Sequence, residues 1–278
     1  MSPLLKQPTW RVMDQSSMGP DFDGRQSFAI DDTLCRSVGS GESPCAARLW
    51  VHQRTVMLGI QDTRMPHLQD ALRVLSHAGF DYVARNSGGL AVVLDDGVLN
   101  LSLIFSEKKR PISIDEAYQA MVDFIGKLLG PHGIRFDVHE IGRSYCPGRY
   151  DLSVGGRKFA GISQRRVKRG VAVQIYLCVS GSGPTRGSLI RDFYRSGVQD
   201  EKTRLTYPDI DPSVMASLEE IDGQKWTVTM IRNAVFHTLR NLGTVVPSRL
   251  SPLESEHFGY YYERMIRRNE KAFAGLSI

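Results

Sequence analysis

The sequence predicts an α+β fold in which helices flank a mixed, largely antiparallel sheet. In its first two thirds, short apolar segments rich in β-branched residues alternate with turns that contain glycine. Amphipathic segments lie between them and dominate the chain after residue 185. The 278 residues are 41% hydrophobic and 23% charged, a balance typical of a globular protein. We therefore expect one catalytic domain over residues 1–278, with C-terminal helices from about 185 packed on the sheet.

Along the N-terminal half, periodicity separates helices from strands. Apolar spacing predicts helices over residues 26–38, 67–78 and 113–129, and alternation predicts strands within 47–60 and 81–105. The third helix is the clearest, because Ser113 and Glu116 match a capping box and Gly130-Pro131 ends it.

The C-terminal half begins with strands and continues with helices. Two strands are expected around residues 144–166, and residues 171–179, VAVQIYLCV, are apolar enough for a central strand. Helices are predicted over about 185–196, 213–221, 228–242 and 252–272. The last helix begins at Ser251-Pro252, and Glu254 completes a second capping box.

Composition argues against several classes of protein. No run of about 18 apolar residues occurs, so no transmembrane helix is expected. The N-terminal segment MSPLLKQPTW has Pro and Lys where a secretion signal needs an apolar core, and we expect a cytoplasmic protein. The four cysteines show neither a CxxC pair nor zinc-ligand spacing, so no metal is predicted. The net charge of +5 favours an acidic partner.

Residues 144–166, SYCPGRYDLSVGGRKFAGISQRR, carry most of the chemical information. A cysteine is most often a small core residue, and Cys35 and Cys178 fit that interpretation because they lie among apolar neighbours. Cys146 instead precedes a Pro-Gly turn between Arg143 and Arg149, where cations can reach a thiolate. Because a thiolate attacks carbonyl carbon, Cys146 is the candidate nucleophile of an acyl transfer.

Lys158 is the candidate cation, against the plain alternative of a solvated strand lysine. A two-residue turn at 155–156 is expected to pair Ser153 with Lys158. Cys146 lies seven residues before Ser153 (153 − 146 = 7), too far along a strand for a lysine to reach unless residues 147–148 turn the chain back. The hairpin alone therefore does not bring the two side chains together.

Two further segments have binding potential. Residues 85–92, RNSGGLAV, place Gly-Gly at the end of a strand, where backbone N–H groups can line a ligand slot, although a plain hairpin has the same pattern. The basic run at 165–169 fits a charged loop, a docking site for a carrier protein, or a phosphate site. The seven histidines show no ligand spacing, and none is assigned chemistry.

These segments, with the N-terminal DQSSMGPDFDGRQSFAIDDTLC, resemble the superfamily of lipoate ligases, octanoyltransferases and biotin ligases. The similarity covers most of the chain and is closest to the amidotransferase branch that takes an octanoyl group from glycine cleavage H protein. The resemblance implies the mixed sheet of a biotin or lipoate ligase catalytic domain. It also implies an acyltransferase that delivers octanoyl to lipoyl domains of E2 subunits, with no cofactor, no nucleic acid and no membrane as partner.

The resemblance also implies roles for particular residues. Cys146 matches the cysteine that forms the acyl thioester, and Lys158 matches the lysine that keeps it ionised. Residues Arg85, Ser87, Gly88 and Gly89 match the acyl-binding motif, in which Asn86 and Leu90 replace an arginine and a glycine of the ATP-dependent ligases. That departure favours a cysteine mechanism over an adenylate. Gly161 and Ser163 are predicted to bind substrate, because small residues allow close approach, and backbone amides near residue 161 or 88–89 are expected to form an oxyanion hole.

Three alternatives stay open at this point. The octanoyl donor can be an acyl carrier protein instead of H protein. The chain can be an ATP-dependent lipoate or biotin ligase, which would keep its activity without Cys146. It can also be a nonenzymatic nucleic-acid binder that uses the basic run, which would show salt-sensitive affinity for RNA or DNA.

Overall fold

The computed structural model describes residues 1–199, 201 and 206–276. Its helices are α1 (Gly24–Ser40), α2 (Leu68–His77), α3 (Ile114–Leu129), α4 (Gly183–Val198), α5 (Leu218–Asp222), α6 (Val228–Arg240) and α7 (Pro252–Ala272). Its strands are β1 (Thr9–Gln15), β2 (Ala46–Trp50), β3 (Thr55–Leu58), β4 (Asp81–Ala84), β5 (Val92–Leu94), β6 (Val98–Ser106), β7 (Asp137–Val138), β8 (Leu152–Val154), β9 (Arg157–Val167), β10 (Gly170–Cys178) and β11 (Thr244–Pro247).

Within these residues the strands form an eight-stranded sheet, ordered β11-β1-β2-β6-β10-β9-β8-β7, and a three-stranded sheet, ordered β4-β3-β5. In the large sheet, β1 runs parallel to β11 and β2, and the other pairs are antiparallel. The prediction of a mixed, largely antiparallel sheet is confirmed. Strand β10 is buried along its whole length because helices cover both faces of the sheet, which explains its continuous apolar sequence.

Each face of the large sheet packs against helices. On one face, Phe105 and Val173 belong to a core that includes Phe124 of α3 and Val235 of α6. On the other face, α1 lies across β6 and β10, and α7 packs on α1. None of the helices in the described ranges is both long and apolar enough to cross a membrane.

The helix ends agree with the sequence in most details. Helix α7 starts with the predicted capping box between Ser251 and Glu254. Helix α3 keeps only half of its box: Ser113 accepts from the Glu116 N–H, while the Glu116 carboxylate pairs with Arg110. The C-terminal part is helical as predicted, and it also contains the short strand β11, which extends the large sheet beside β1. That the chain is a single domain stays a prediction.

The hairpin between β8 and β9 forms as predicted. Ser153 pairs with Lys158 and Val154 with Arg157, and residues 155–156 make the turn with both φ angles positive, as a type I′ turn requires. This register turns the Lys158 side chain toward the segment that carries Cys146. The hairpin therefore supplies one half of the site described next.

Candidate active site

Cys146 lies in the loop between β7 and β8, residues 139–151, which we call the cysteine loop. Its φ of 46° places a non-glycine residue in the left-handed region, which costs on the order of 1 kcal/mol and is found mostly where function requires it. The Asp151 N–H donates to the Gly148 carbonyl at 2.9 Å, so the chain turns back after Pro147. This is the reversal that the sequence requires to bring Cys146 near Lys158.

The ammonium of Lys158 is fully buried beneath this loop. It donates to the carbonyls of Cys146 at 2.8 Å and Tyr145 at 3.0 Å, and to the Ser144 hydroxyl at 3.2 Å. It also forms an ion pair of 2.9 Å with the buried carboxylate of Asp151. Burial raises the pKa of Asp151 above its usual value, and the ammonium and two backbone N–H groups offset only part of that rise. Lys158 thus meets Cys146 through the backbone carbonyl, whereas the sequence suggests contact with the thiol.

The donors to the sulfur come from the loop between β4 and β5, residues 85–91, which we call the glycine loop. The Leu90 N–H lies 3.2 Å from Cys146 Sγ, and Arg85 Nη2 lies 3.4 Å from it. Arg85 is 7% exposed and its Nη2 also donates to the Leu90 carbonyl at 2.6 Å. No carboxylate of the described residues lies within 4.0 Å of this guanidinium. The Cys146 sulfur is thus a hydrogen-bond partner of a largely buried guanidinium.

The close approach of these groups explains a glycine of the predicted motif. A Cβ on Gly89 would lie 2.3 Å from Arg85 Nη2 and 2.9 Å from Cys146 Sγ, and its φ of +103° also disfavours a side chain. Any other residue at position 89 would displace the guanidinium from the sulfur. The glycine motif is thus needed for the contact between the two loops.

Cys146 opens onto a cavity of about 250 Å³. Its apolar lining includes Phe28, Trp50, Met57, Val92, Leu94 and Ile175. All the predicted binding residues line it as well, namely Arg85, Ser87, Gly88, Gly89, Gly161 and Ser163. Lys158 does not, since it lies behind the cysteine loop. An apolar cavity that ends at a thiol can hold an aliphatic chain next to a nucleophile; substrate binding by these residues stays a prediction.

The floor of the cavity is the sheet itself. Gly161 leaves room for Tyr176, whose Cε1 would lie 2.6 Å from a Cβ at position 161. The Tyr176 hydroxyl is buried and has no hydrogen-bond partner within the described part of the chain. Beside it, Gln174 accepts from Ser163 at 3.3 Å and donates to buried Asp31 at 2.6 Å. The cavity therefore combines an apolar lining with fixed polar groups.

Sequence reasoning missed Asp151, Leu90 and Tyr176. Asp151 was within reach, because a buried lysine needs a nearby counter-charge and this carboxylate lies seven residues away. Leu90 contributes only backbone atoms, its N–H and its carbonyl, and Tyr176 lies on a strand that is buried throughout. No side-chain pattern distinguishes either of them.

The basic run at 165–169 has a different environment from the one its sequence suggests. Arg165 forms a bidentate pair with Asp32, and Arg166 pairs with Glu107. Lys168 and Arg169 form the exposed turn after β9. Lys168 follows Lys158 by ten positions, nearly all of them along β9, so the two residues lie roughly 33 Å apart. The turn therefore lies far from the cysteine loop, and carrier docking there stays a prediction.

The sequence model of the lipoyl protein ligase A/B catalytic domain matches residues 23–240. This chain belongs to that family. It is 54% identical to octanoyl-[GcvH]:protein N-octanoyltransferase of Bacillus velezensis over 273 residues, 97% of this chain and 95% of the relative. It is also 46% identical to lipoyl-[GcvH]:protein N-lipoyltransferase of Listeria monocytogenes, over 96% and 97% of the two chains. The predicted resemblance is confirmed.

A solved structure shows the same fold. The Ta0514 protein of T. acidophilum, described as a putative lipoate protein ligase with bound lipoic acid, superposes with a TM-score of 0.70. The match covers 92% of this chain and 95% of that one at 17% sequence identity. The lipoate-ligase fold predicted from the sequence is therefore confirmed by structure as well.

Proposed function

We propose that this protein is an acyltransferase that moves an octanoyl group from a lysine of GcvH, the glycine cleavage H protein, to the lysine of lipoyl domains in E2 subunits. The names of the close relatives support the donor and the acyl group. The single observation that carries the chemistry is the position of Cys146 Sγ, between two hydrogen-bond donors at the end of an apolar cavity. We place the activity in the cytoplasm as part of the same proposal.

The first half-reaction forms a thioester. The Cys146 thiolate attacks the amide carbonyl of octanoyl-lysine, the S–C bond forms, and the C–N bond breaks as the amine takes up a proton. Arg85 and the Leu90 N–H stabilise the thiolate before attack. Lys158, as predicted, supplies the proton and must first release one of the loop oxygens that it contacts.

The second half-reaction reverses the first with a different lysine. The neutral amine of the acceptor lysine attacks the thioester carbon, Lys158 takes its proton as the C–N bond forms, and the C–S bond breaks to release Cys146 as a thiolate. One amide replaces a chemically similar amide, so the equilibrium constant is near one and no nucleotide is required to drive the transfer. The apolar lining contributes to selectivity, at about 0.8 kcal/mol for each methylene that it buries.

Intact-mass analysis after mixing the protein with octanoyl-GcvH tests this function. We expect an octanoyl adduct that hydroxylamine removes, that Cys146→Ser abolishes, and that a lipoyl domain discharges. Cys45→Ser is the matched control, since Cys45 is also a half-buried free thiol but lies outside the cavity. An adduct that survives Cys146→Ser, or transfer that requires ATP and free octanoate, would overturn the proposal.

The same assay separates the remaining candidates. Octanoyl-acyl carrier protein in place of octanoyl-GcvH tests the alternative donor. Lipoyl-GcvH tests the acyl group named for the Listeria relative. The fastest thioester formation identifies the preferred donor and acyl group.

A further inference from the structure

Asp151 holds both halves of the cysteine loop through one carboxylate. Its Oδ2 accepts from the Gly148 N–H at 3.1 Å and from the Ile141 N–H at 3.3 Å, which lie on either side of Cys146. Its Oδ1 contacts Lys158 at 2.9 Å, and that ammonium binds the loop at residues 144–146. The Asp151 carboxylate and the Lys158 ammonium together therefore hold the cysteine loop on both sides of Cys146.

The two charges of this pair are buried and depend on each other. The side chains of Lys158 and Asp151 are 0% and 2% exposed, so neither charge is hydrated. The ammonium has three hydrogens, and four oxygens lie within hydrogen-bond distance of it. Only the Asp151 oxygen among these carries a charge. It is therefore the counter-charge that a buried ammonium requires.

We propose that Asp151 is a positioning residue for the acyl transfer, which acts through Lys158 to hold the cysteine loop and keep the lysine protonated. The inference rests on the proposed function. During thioester formation the Lys158 ammonium gives a proton to the departing amine as the C–N bond breaks. Neutral Lys158 then takes the proton that the acceptor amine loses as the new C–N bond forms and the C–S bond breaks. Asp151 stays a carboxylate throughout and touches no reacting atom.

The proposal distinguishes two kinds of acyl donor. An amide donor must have its leaving amine protonated, whereas p-nitrophenyl octanoate releases a stable anion that needs no proton. A variant that loses protonated Lys158 is therefore slowed more with the amide than with the ester. A role limited to folding slows both donors by the same factor.

Single-turnover thioester formation in the full-length Asp151→Asn variant tests this, with octanoyl-GcvH and p-nitrophenyl octanoate as donors. We expect a loss of about 100-fold with the amide and of less than about 10-fold with the ester. Asp151→Glu should restore part of the amide rate, since it restores the negative charge.

Asp95→Asn is the matched control. Asp95 pairs with the buried Arg186 at 2.6 Å and does not line the cavity with Cys146, so its loss affects a comparable ion pair elsewhere. We expect the control to keep the ratio of the two donor rates. Equal losses with both donors in Asp151→Asn would overturn the positioning role. If the wild type accepts octanoyl from neither donor, the proposed function fails and this inference with it.

Discussion

Replacing Arg85 with glutamine tests which cation stabilises the Cys146 thiolate. At 3.4 Å, the interaction of two unit charges is about 1 kcal/mol in water and about 5 kcal/mol at an effective dielectric constant of 20. A thiol at the end of an open cavity lies between these limits, so we take about 2 kcal/mol. Because 1.4 kcal/mol corresponds to a factor of ten, the rate at which iodoacetamide alkylates Cys146 at pH 7 should fall about 30-fold in Arg85→Gln. Intact mass followed over time measures that rate directly.

Two comparisons make the Arg85→Gln result interpretable. Near pH 10 an ordinary thiol is largely ionised, so variant and wild type should react at similar rates there. Arg149→Gln is the matched control, because Arg149 lies in the cysteine loop but is exposed and pairs with Asp115. The fold should tolerate Arg85→Gln, since no carboxylate among the described residues lies within 4.0 Å of the guanidinium. Alkylation at the wild-type rate at pH 7 would refute the assignment of the guanidinium as counter-ion.

Two further predictions concern the cavity floor and the C-terminal helix. Gly161→Ala should lower kcat/KM for octanoyl-GcvH about 10-fold, because the new Cβ would lie 2.6 Å from the Tyr176 ring and must displace it. Unchanged steady-state kinetics would contradict this prediction. Burial alone would raise the pKa of Glu254. Hydrogen bonds from Arg11 and the Ser251 N–H outweigh burial and lower that pKa to about 2. Glu254→Gln should therefore cost at most about 3 kcal/mol of unfolding free energy above pH 5, and urea unfolding should show that difference disappear as pH falls from about 4.5 toward 2.

The elements that the sequence predicts well are those specified locally. The β8–β9 turn needs only two adjacent glycines, and helix α7 needs only the capping residues Ser251 and Glu254 with an amphipathic stretch after them. Strand β11 was missed because it is four residues long, largely exposed, and pairs with a strand more than 200 residues earlier. Its stability comes from that long-range pairing, which no local pattern records.

The same distinction applies within the site. Sequence motifs identify Cys146, Lys158 and the glycine loop, but the roles follow from contacts across the fold. The Arg85–Cys146 contact joins residues 61 positions apart, and it depends on how the small sheet lies against the large one. Whether Lys158 is solvated or buried likewise depends on the cysteine loop that covers it. The sequence therefore pointed to the candidate residues, whereas which cation contacts the sulfur could not be read from it.

The two cations of the site, Arg85 and Lys158, come from different sheets, so a mutation can affect one of them without the other. Arg85 follows β4 of the small sheet and acts on the sulfur, whereas Lys158 lies on β9 of the large sheet and acts on the backbone of the cysteine loop. A change that moves the glycine loop alone removes the donors to Sγ while Lys158 and Asp151 still hold the loop. We expect such a variant to keep its fold and an accessible thiol but to react more slowly with iodoacetamide. We expect loss of Asp151 to act in the opposite sense, because the donors to Sγ remain while proton transfer to the amine is slowed. Alkylation rate and the amide-to-ester ratio thus respond to different residues, so each cation can be assigned its role independently.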